Sequence, residues 1–521
     1  MLARGGLGTP YFSGQPFLLK PILIYWLIAA AFRLLGPTEF AARVTSAFLG
    51  IALVMLTYWF GARTLSRRAG FLAGLALALN YMWLDIARDA SIDVPLTAAL
   101  APGVFLFFLG MKAPARRKRL LYLGAYALFG VALLAKGPVP VGVVGCGLLA
   151  YLLAARRLRE TLRGAQLPLG VPLMLAVAAP WYIYEQVRQP AFFATFFLGE
   201  HFGHIHGELA RRMPAWGNLE YLLVYFYPWA AFLPAALAHA FRQTDRGHVL
   251  RLMAWWSISV VAVFSLPQSK LAHYLAPAFP ALAILVGGWL DDWVLGRTEG
   301  RGWAAGGFAL LGLAGAACGA AAVIAGMTPP WLQERLARQF GEWRPGLSAV
   351  VILGALALGS LAAAGVARWR RNAVAPVLAC AMALAGMVYV GWFNPRRAEI
   401  QAQPRKELAQ LAAVRLPESA PLGVYYAKRN ATVFYFGRPI VDLGEREDEF
   451  AGLVRFLSSP TPAAAITHAK FLPELRRSVA GLRVWDQRGD YVLVANRLPT
   501  TAGRSAPRQR SAPARFRLSR S

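Results

Sequence analysis

Five polar breaks interrupt an otherwise apolar chain, and four of them carry a cation. The first holds Tyr11, Gln15 and Lys20 in an opening stretch rich in Gly, Pro and aromatics. Lys20 precedes Pro21, and a residue before proline is pushed out of the helical region. Lys20 is thereby fixed at a helix start. A lysine there either snorkels to a membrane interface or offers a point charge to a phosphate. The second break holds Arg88, Asp89 and Asp93. Asp93, just before Val94-Pro95, has the residue type of a helix N-cap, a role compatible with lining a site. The third is Lys136-Gly137-Pro138 at the tip of an apolar hairpin. A lysine within an apolar stretch is expensive and marks function unless it snorkels to the interface. The fourth runs from Glu200 to Glu208 and includes His201, His204 and His206. These are ligand types for a divalent metal, with His201 the leading candidate, although the spacing matches no zinc signature. The fifth, Ser265 to Tyr274, places Lys270 and Tyr274 one helical turn apart, or else forms a structural turn.

The elements that must position these residues are membrane helices. The chain has 521 residues of which 57% are hydrophobic, with a mean hydropathy of +0.44, well above the composition of a soluble domain. Its formal charge is +29. That charge sits in short clusters between apolar segments, as the positive-inside rule expects, and not on one face as a nucleic-acid partner requires. Cys146, Cys318 and Cys380 lie in apolar runs, which reads as core packing and not as a disulfide framework. The sequence has no Walker A, CxxC or Rossmann pattern, which argues against a nucleotide-dependent cytosolic site.

A span needs about 20 apolar residues. Pro21 to Leu35 is too short and contains Arg33, so it reads as an interfacial helix. Twelve spans are expected near 42–62, 70–86, 94–111, 120–134, 139–153, 167–184, 219–238, 252–266, 271–290, 303–327, 347–366 and 377–393. The pair around Lys136 is short enough to read alternatively as one re-entrant hairpin. Alternate loops carry the arginine and lysine clusters, from Arg63/Arg67/Arg68 to Arg368/Arg370/Arg371, and define the cytoplasmic side. All five polar breaks fall on the other side, as does everything after Phe393. Residues 394–496 read as a small soluble α/β domain. Helix is expected at 406–414 and 449–457, and short β-branched or aromatic runs lie at 423–426, 431–436, 483–485 and 491–495. The last 25 residues are Arg/Ser/Pro-rich and should be disordered. The expected organisation is an external loop and interfacial helix over 1–41, a transmembrane domain over 42–393, a soluble domain over 394–496 and a basic tail over 497–521.

The ordered set TPYFSGQPFLLKPILIYW, EFAARVTSAFLG, RDASIDVPLTA, LLAKGPV, FFLGEHF and SKLAHYLAPAFPALAILVG resembles the lipid-carrier-dependent glycosyltransferases. That family includes the protein O-mannosyltransferase-like enzymes and the bacterial aminoarabinose transferase. The resemblance runs from about Thr9 to Leu290. It implies a GT-C fold and an inverting transfer of a sugar from a polyprenyl-phosphate donor. The acceptor is a lipid such as lipid A, a protein or an envelope glycan. Transfer takes place on the periplasmic face of the bacterial inner membrane, with the C-terminal domain also periplasmic. By position, Lys20 matches the donor-phosphate lysine, Asp93 the acidic residue of the second external loop, His201 the histidine of the EHF motif, and Tyr274 the tyrosine after the last polar break. Tyr11, Arg88, Lys136 and Lys270 complete the expected substrate-binding set.

Departures from the pattern matter too. Leu19 stands where the family has a glutamate, which undercuts a metal at His201. His204 stands where the family has an arginine. The family's acidic pair precedes this loop, and no Asp or Glu occurs between Met1 and Thr38. The natural start is therefore expected upstream, with the main catalytic carboxylate there and Asp93 the remaining acidic candidate. The alternatives are a lipid-linked glycan flippase, which would line a central path with charge, and a catalytically inactive relic.

Overall fold

The computed structural model describes residues 6–200, 213–243, 247–268, 270–298, 301–327, 346–395, 398, 402–427, 429–444 and 446–496. They divide into two compact units. One draws on Met1–Pro10, Leu18–Ala320 and Leu353–Gly386, the other on Tyr11–Phe17, Ala321–Ile352 and Met387–Ser521.

The larger unit is helical. It opens with α1 (Leu23–Leu35), which begins just past Pro21 and is too short to span a bilayer. Then come α2 (Glu39–Thr64), α3 (Arg67–Ala78), α4 (Tyr81–Ala87), α5 (Asp93–Lys112), α6 (Ala115–Lys136), α7 (Pro138–Ala154), α8 (Leu158–Gly164) and α9 (Leu167–Arg188). Side-chain caps set several starts. Thr38, Ser66 and Asn80 accept hydrogen bonds from the backbone N–H of Ala41, Ala69 and Trp83. Further along the chain follow α10 (Gly217–Tyr225), α11 (Leu233–Arg242), α12 (Gly247–Ser265), a 3-10 segment (Ala272–Ala278), α13 (Phe279–Val294), α14 (Arg301–Met327), α15 (Gly346–Val366) and α16 (Val374–Val388).

Among the described residues, nine helices are long and apolar enough to cross a membrane, and eleven if each of two bent pairs counts as one span. Three expected spans therefore differ from the sequence reading. The span at 70–86 is broken at Asn80, where α3 and α4 meet at 62°. Asn80 caps α4 and also donates to the carbonyl of Tyr225, so its side chain stabilises the break. The span at 219–238 is bent by 114° between α10 and the segment Trp229–Arg242. Pro228 lies in that bend, and a proline removes a backbone donor. The third, α7, has 17 residues and is a shorter apolar helix. The segment expected at 120–134 extends back to Ala115, so Arg116, Arg117, Lys118 and Arg119 form the first turns of α6.

Glycines bring α2, α3 and α13 into close contact. A Cβ on Gly70 would lie 2.3 Å from the backbone nitrogen of Ala62, and one on Gly287 would lie 2.7 Å from the carbonyl of Ala69. Small residues at such crossings are how membrane helices gain packing without a hydrophobic drive. Around them Phe60 stacks on Phe105 at 4.1 Å, and Trp229, Trp256 and Trp289 are fully buried. The cysteines do not follow the expectation of core packing. Cys146 and Cys380 are exposed and Cys318 is half-buried. On a bilayer-spanning helix the hydrocarbon takes the place of a core, so a small apolar thiol is at home on the outside.

The second unit contains a hairpin, β1 (Tyr11–Phe12) and β2 (Gln15–Pro16). It also contains a five-stranded sheet of β3 (Leu422–Val424), β4 (Ile440–Asp442), β5 (Ala464–His468), β6 (Arg483–Arg488) and β7 (Tyr491–Ala495), in the order β4-β3-β5-β7-β6. β3 runs parallel to β4 and β5, and β7 is antiparallel to β5 and β6. Four helices cover it: α17 (Gln403–Arg415), α18 (Arg429–Phe436), α19 (Phe450–Leu457) and α20 (Leu472–Ser478). Alternation along β5 and β7 feeds two cores. Ile466, Leu493 and Ala495 pack with Leu408 and Ala412 of α17, whereas Ala465, Val492 and Val494 pack with Leu453 of α19 and Leu475 of α20. The result is a three-layer α/β/α domain. The aromatic run at 431–436 is helical and not a strand. β3 and β4 are parallel, and a parallel pair requires a crossover. Residues 429–436 form the helix of that crossover, burying Thr432 and Phe436 one turn apart.

Candidate functional site

Asp93 is the first residue of α5 and is 3% exposed. Its side chain does not cap the helix. Lys136, at the last turn of α6, donates to its Oδ1 at 2.5 Å, and their side chains are 4% and 14% exposed. Asp93 Oδ2 lies 3.9 Å from His273 Nε2 and accepts a long bond of 3.4 Å from the Ser91 hydroxyl. The Ser91 hydroxyl also accepts from the Asp93 backbone N–H at 3.2 Å, and Thr97 donates to the Asp93 carbonyl at 2.7 Å. These bonds fix the helix start that aims the carboxylate.

Lys136 Nζ also sits 4.3 Å from the centroid of the Tyr274 ring. The cation thus has a carboxylate and an aromatic face as partners, a combination that holds a desolvated ammonium in place. Two features put it there. Gly137 adopts φ +88°, which ends α6 directly after the lysine, and Pro138 starts α7. A Cβ on Gly137 would lie 2.9 Å from the Phe196 ring, so the tip is both strained for other residues and closely covered.

Lys270 is 2% exposed and donates to the carbonyls of Pro267 at 2.5 Å and Met213 at 3.3 Å. Burial pushes its ammonium below the ordinary lysine value. Lys270 precedes the 3-10 segment that carries His273 and Tyr274, so it does not share a helix with Tyr274. Arg88 follows the last residue of α4, and among the described residues its Nη1 is buried with no hydrogen-bond partner.

The structure brings Asp93, Lys136 and Tyr274 into contact and sets Lys270 on the same chain segment as Tyr274. Lys20 lies two residues before Ile22, which shares a buried cluster with Leu134, two residues before Lys136. The start of α1 and the end of α6 therefore pack together. Tyr11 belongs to the second unit and is 38% exposed. His201 lies outside the described residues. Two residues of the larger unit do not stand out in the sequence. His273 lies inside the SKLAHY motif, and its place one residue before Tyr274 is the available signal. Glu185 of α9 is fully buried and accepts from Thr9 at 2.9 Å, and an acidic residue inside an apolar run is its signal. Among the described residues no group of three or more His, Cys, Asp and Glu is placed to hold a metal. Chemically, the cluster offers a buried carboxylate poised by a cation, with an imidazole beside it. A carboxylate so placed orients or deprotonates a hydroxyl, and neighbouring cations stabilise a departing phosphate.

Residues 19–184 match the model of the family described as dolichyl-phosphate-mannose-protein mannosyltransferase. The undecaprenyl phosphate-alpha-4-amino-4-deoxy-L-arabinose arabinosyl transferase of Aeromonas hydrophila is 30% identical over 55% of this chain and 52% of its own length. The protein of the same description from Yersinia pestis is 25% identical over 78% of this chain and 72% of its own. The chain spans about half the length of most curated relatives it matches. The crystal structure of ArnT from Cupriavidus metallidurans bound to undecaprenyl phosphate superposes with a TM-score of 0.75 at 24% identity, over 97% of this chain and 93% of that one. The chain is a multi-span membrane protein with the fold of ArnT.

Proposed function

We propose that this chain transfers a sugar from a polyprenyl-phosphate donor to a lipid-type acceptor on the non-cytoplasmic face of the inner membrane. The observation that carries the reading is the buried Asp93–Lys136 pair against Tyr274, with His273 beside it, at one end of a bundle folded like the aminoarabinose transferase. In this reading Asp93 orients or deprotonates the acceptor, Lys136 holds the carboxylate in place, and Lys20, Arg88 and Lys270 face the donor phosphate. The relatives' printed descriptions favour an aminoarabinose donor on undecaprenyl phosphate. The loops' charge pattern favours placing the C-terminal α/β unit in the periplasm.

The test supplies a radiolabelled polyprenyl-phosphate sugar to membranes containing the protein and counts label in the lipid fraction. The expected result is transfer that Asp93→Asn and Lys20→Ala each reduce by at least about a hundredfold, the cost of losing a charged group from a reacting centre. Label that stays on the donor with the wild-type protein refutes the reading.

A further inference from the structure

Three helix ends of the larger unit gather cations around a buried tyrosine. α7 and α12 run antiparallel and close together. Ser259 donates to the carbonyl of Val143 at 3.0 Å, and a Cβ on Gly147 would lie 2.8 Å from the Trp256 Cα. One turn beyond Gly147, Tyr151 is 1% exposed, and its hydroxyl lies 3.4 Å from His248 Nδ1 in the first turn of α12. Arg157 and Arg251 act electrostatically on both rings, and Lys112, the last residue of α5, acts on His248. Among the described residues, the charged groups acting on either ring are thus all cations. Glu160, the acid of α8, acts on Tyr122 of α6.

Backbone geometry holds both arginines in place. α7 ends in a Schellman turn, in which the Arg156 N–H donates to Leu153 and the Arg157 N–H to Leu152. Arg156 takes the left-handed position of that turn at φ +55°, where glycine is usual. The turn brings Arg157 back against the last turn of α7, which carries Tyr151. Arg251 donates through Nη2 to the carbonyl of Gln243 at 2.8 Å, and among the described residues its Nε is buried with no partner. Gly247 leaves room for that guanidinium, because a Cβ there would lie 2.7 Å from Nη2. A buried N–H of a charged group is costly to leave unpaired.

Lys112, Arg157 and Arg251 come from three of the clusters that mark the cytoplasmic side. Orienting a protein requires charge on that side but no convergence of it. Here charges from three separate loops meet between helix ends. A basic pocket between membrane helices on that side suits an anionic lipid headgroup, and a guanidinium offers phosphate paired donors.

We propose that the ends of α5 and α7 and the start of α12 form a binding site for the phosphodiester of an anionic phospholipid of the cytoplasmic leaflet. Arg157 and Arg251 hold the phosphate, Lys112 adds charge, and Tyr151 and His248 form the floor. Asp93 and Lys112 are the two ends of α5, whose 20 residues separate this site from the Asp93 cluster by about 30 Å.

The test titrates the full-length protein in neutral detergent into a fluorescent phosphatidylglycerol and reads anisotropy. Unlabelled phosphatidylglycerol, phosphatidylcholine and inorganic phosphate serve as competitors. Arg157→Gln and Arg251→Gln are each expected to weaken phosphatidylglycerol binding about tenfold, the worth of a hydrogen bond to a charged group. Lys112→Gln, at an exposed helix end, is expected to weaken it about fivefold and decides the matter if Arg251→Gln does not fold. Arg63→Gln, an exposed position at the end of α2, is the control and is expected to change affinity by less than about twofold. Unchanged affinity in the site variants, or losses equal to the control's, overturns the site. So does phosphatidylcholine that competes as well as phosphatidylglycerol, or a wild-type protein that binds neither. Inorganic phosphate competing as well as the lipid overturns the phospholipid as occupant.

Discussion

Replacing Lys136 by Met leaves the Asp93 carboxylate buried without its cation. At 2.5 Å, two unit charges attract by 332/(20 × 2.5), or about 7 kcal/mol, at an effective dielectric constant of 20. Desolvating both ions offsets much of that gain. The measurable quantity is the cost of breaking the pair, about 3–5 kcal/mol when one partner stays buried and charged. The two single substitutions are not equivalent. Asp93, at 4% side-chain exposure, keeps only the long Ser91 bond and His273 at 3.9 Å. Lys136, at 14%, keeps the Tyr274 ring. Lys136→Met should therefore cost more than Asp93→Asn, and the double variant should lie close to Asp93→Asn. The expected coupling energy in the double-mutant cycle is about 3 kcal/mol. Equilibrium unfolding of the four proteins in mixed detergent micelles measures it. Additive losses, with the double variant as damaged as the sum of the singles, refute the ion pair as a coupled unit.

Three further outcomes follow from the packing and the charges. Gly70→Ala places a methyl 2.3 Å from the Ala62 backbone nitrogen, so α2 and α3 must separate; overpacking of this kind costs about 1–3 kcal/mol, read as a lower unfolding midpoint. Tyr274→Phe keeps the aromatic face that Lys136 uses and Tyr274→Ala removes it, so transfer should fall more in Ala than in Phe, by about threefold to thirtyfold for a partly desolvated cation–π contact. His468 in the C-terminal domain is half-buried, and the partial loss of water holds its imidazole below the ordinary value; its Nδ1 accepts from the Lys470 N–H at 3.2 Å. A depressed histidine value means the unfolded chain takes up the proton first. Stability is then complete above the ordinary value of about 6.5 and lost as pH falls through the folded value. His468→Gln should flatten that acid arm in pH-dependent unfolding, and an unchanged arm counts against it.

The membrane character and most helix positions were legible because a bilayer crossing demands an apolar run of about 20 residues, and a soluble core seldom does. The breaks were not. Asn80 ends one helix and starts another inside an apolar stretch, and its second bond, to Tyr225, joins residues 145 apart. The strand expected at 431–436 failed for a related reason. Aromatic and β-branched residues favour strands locally, but the parallel pairing of β3 with β4 requires a crossover there, and tertiary context overrides such propensities. In the site, Lys136 stands out as a costly charge in an apolar stretch and Asp93 as an acid of capping type at a helix start. Their pairing over 43 residues was invisible to spacing.

The span Ala272–Val294, made of the 3-10 segment and α13, is wrapped by the larger unit, with 89% of its membrane-crossing window buried by protein. α15, whose mean hydropathy of 2.3 exceeds the 1.4 of that span, is only 22% buried in the same sense. A helix that ends up wrapped by its neighbours has no lasting need of lipid-compatible side chains, yet it must pass through lipid while the chain is inserted. The apolar residues of α13 thus answer to two solvents in succession, the bilayer during biogenesis and the Trp, Phe and Gly surfaces of neighbouring helices afterwards. Substitutions such as Ala283→Ser, small enough for the finished packing, are penalised at the insertion step. Damage of this kind appears as lost membrane integration and not as a lower melting point.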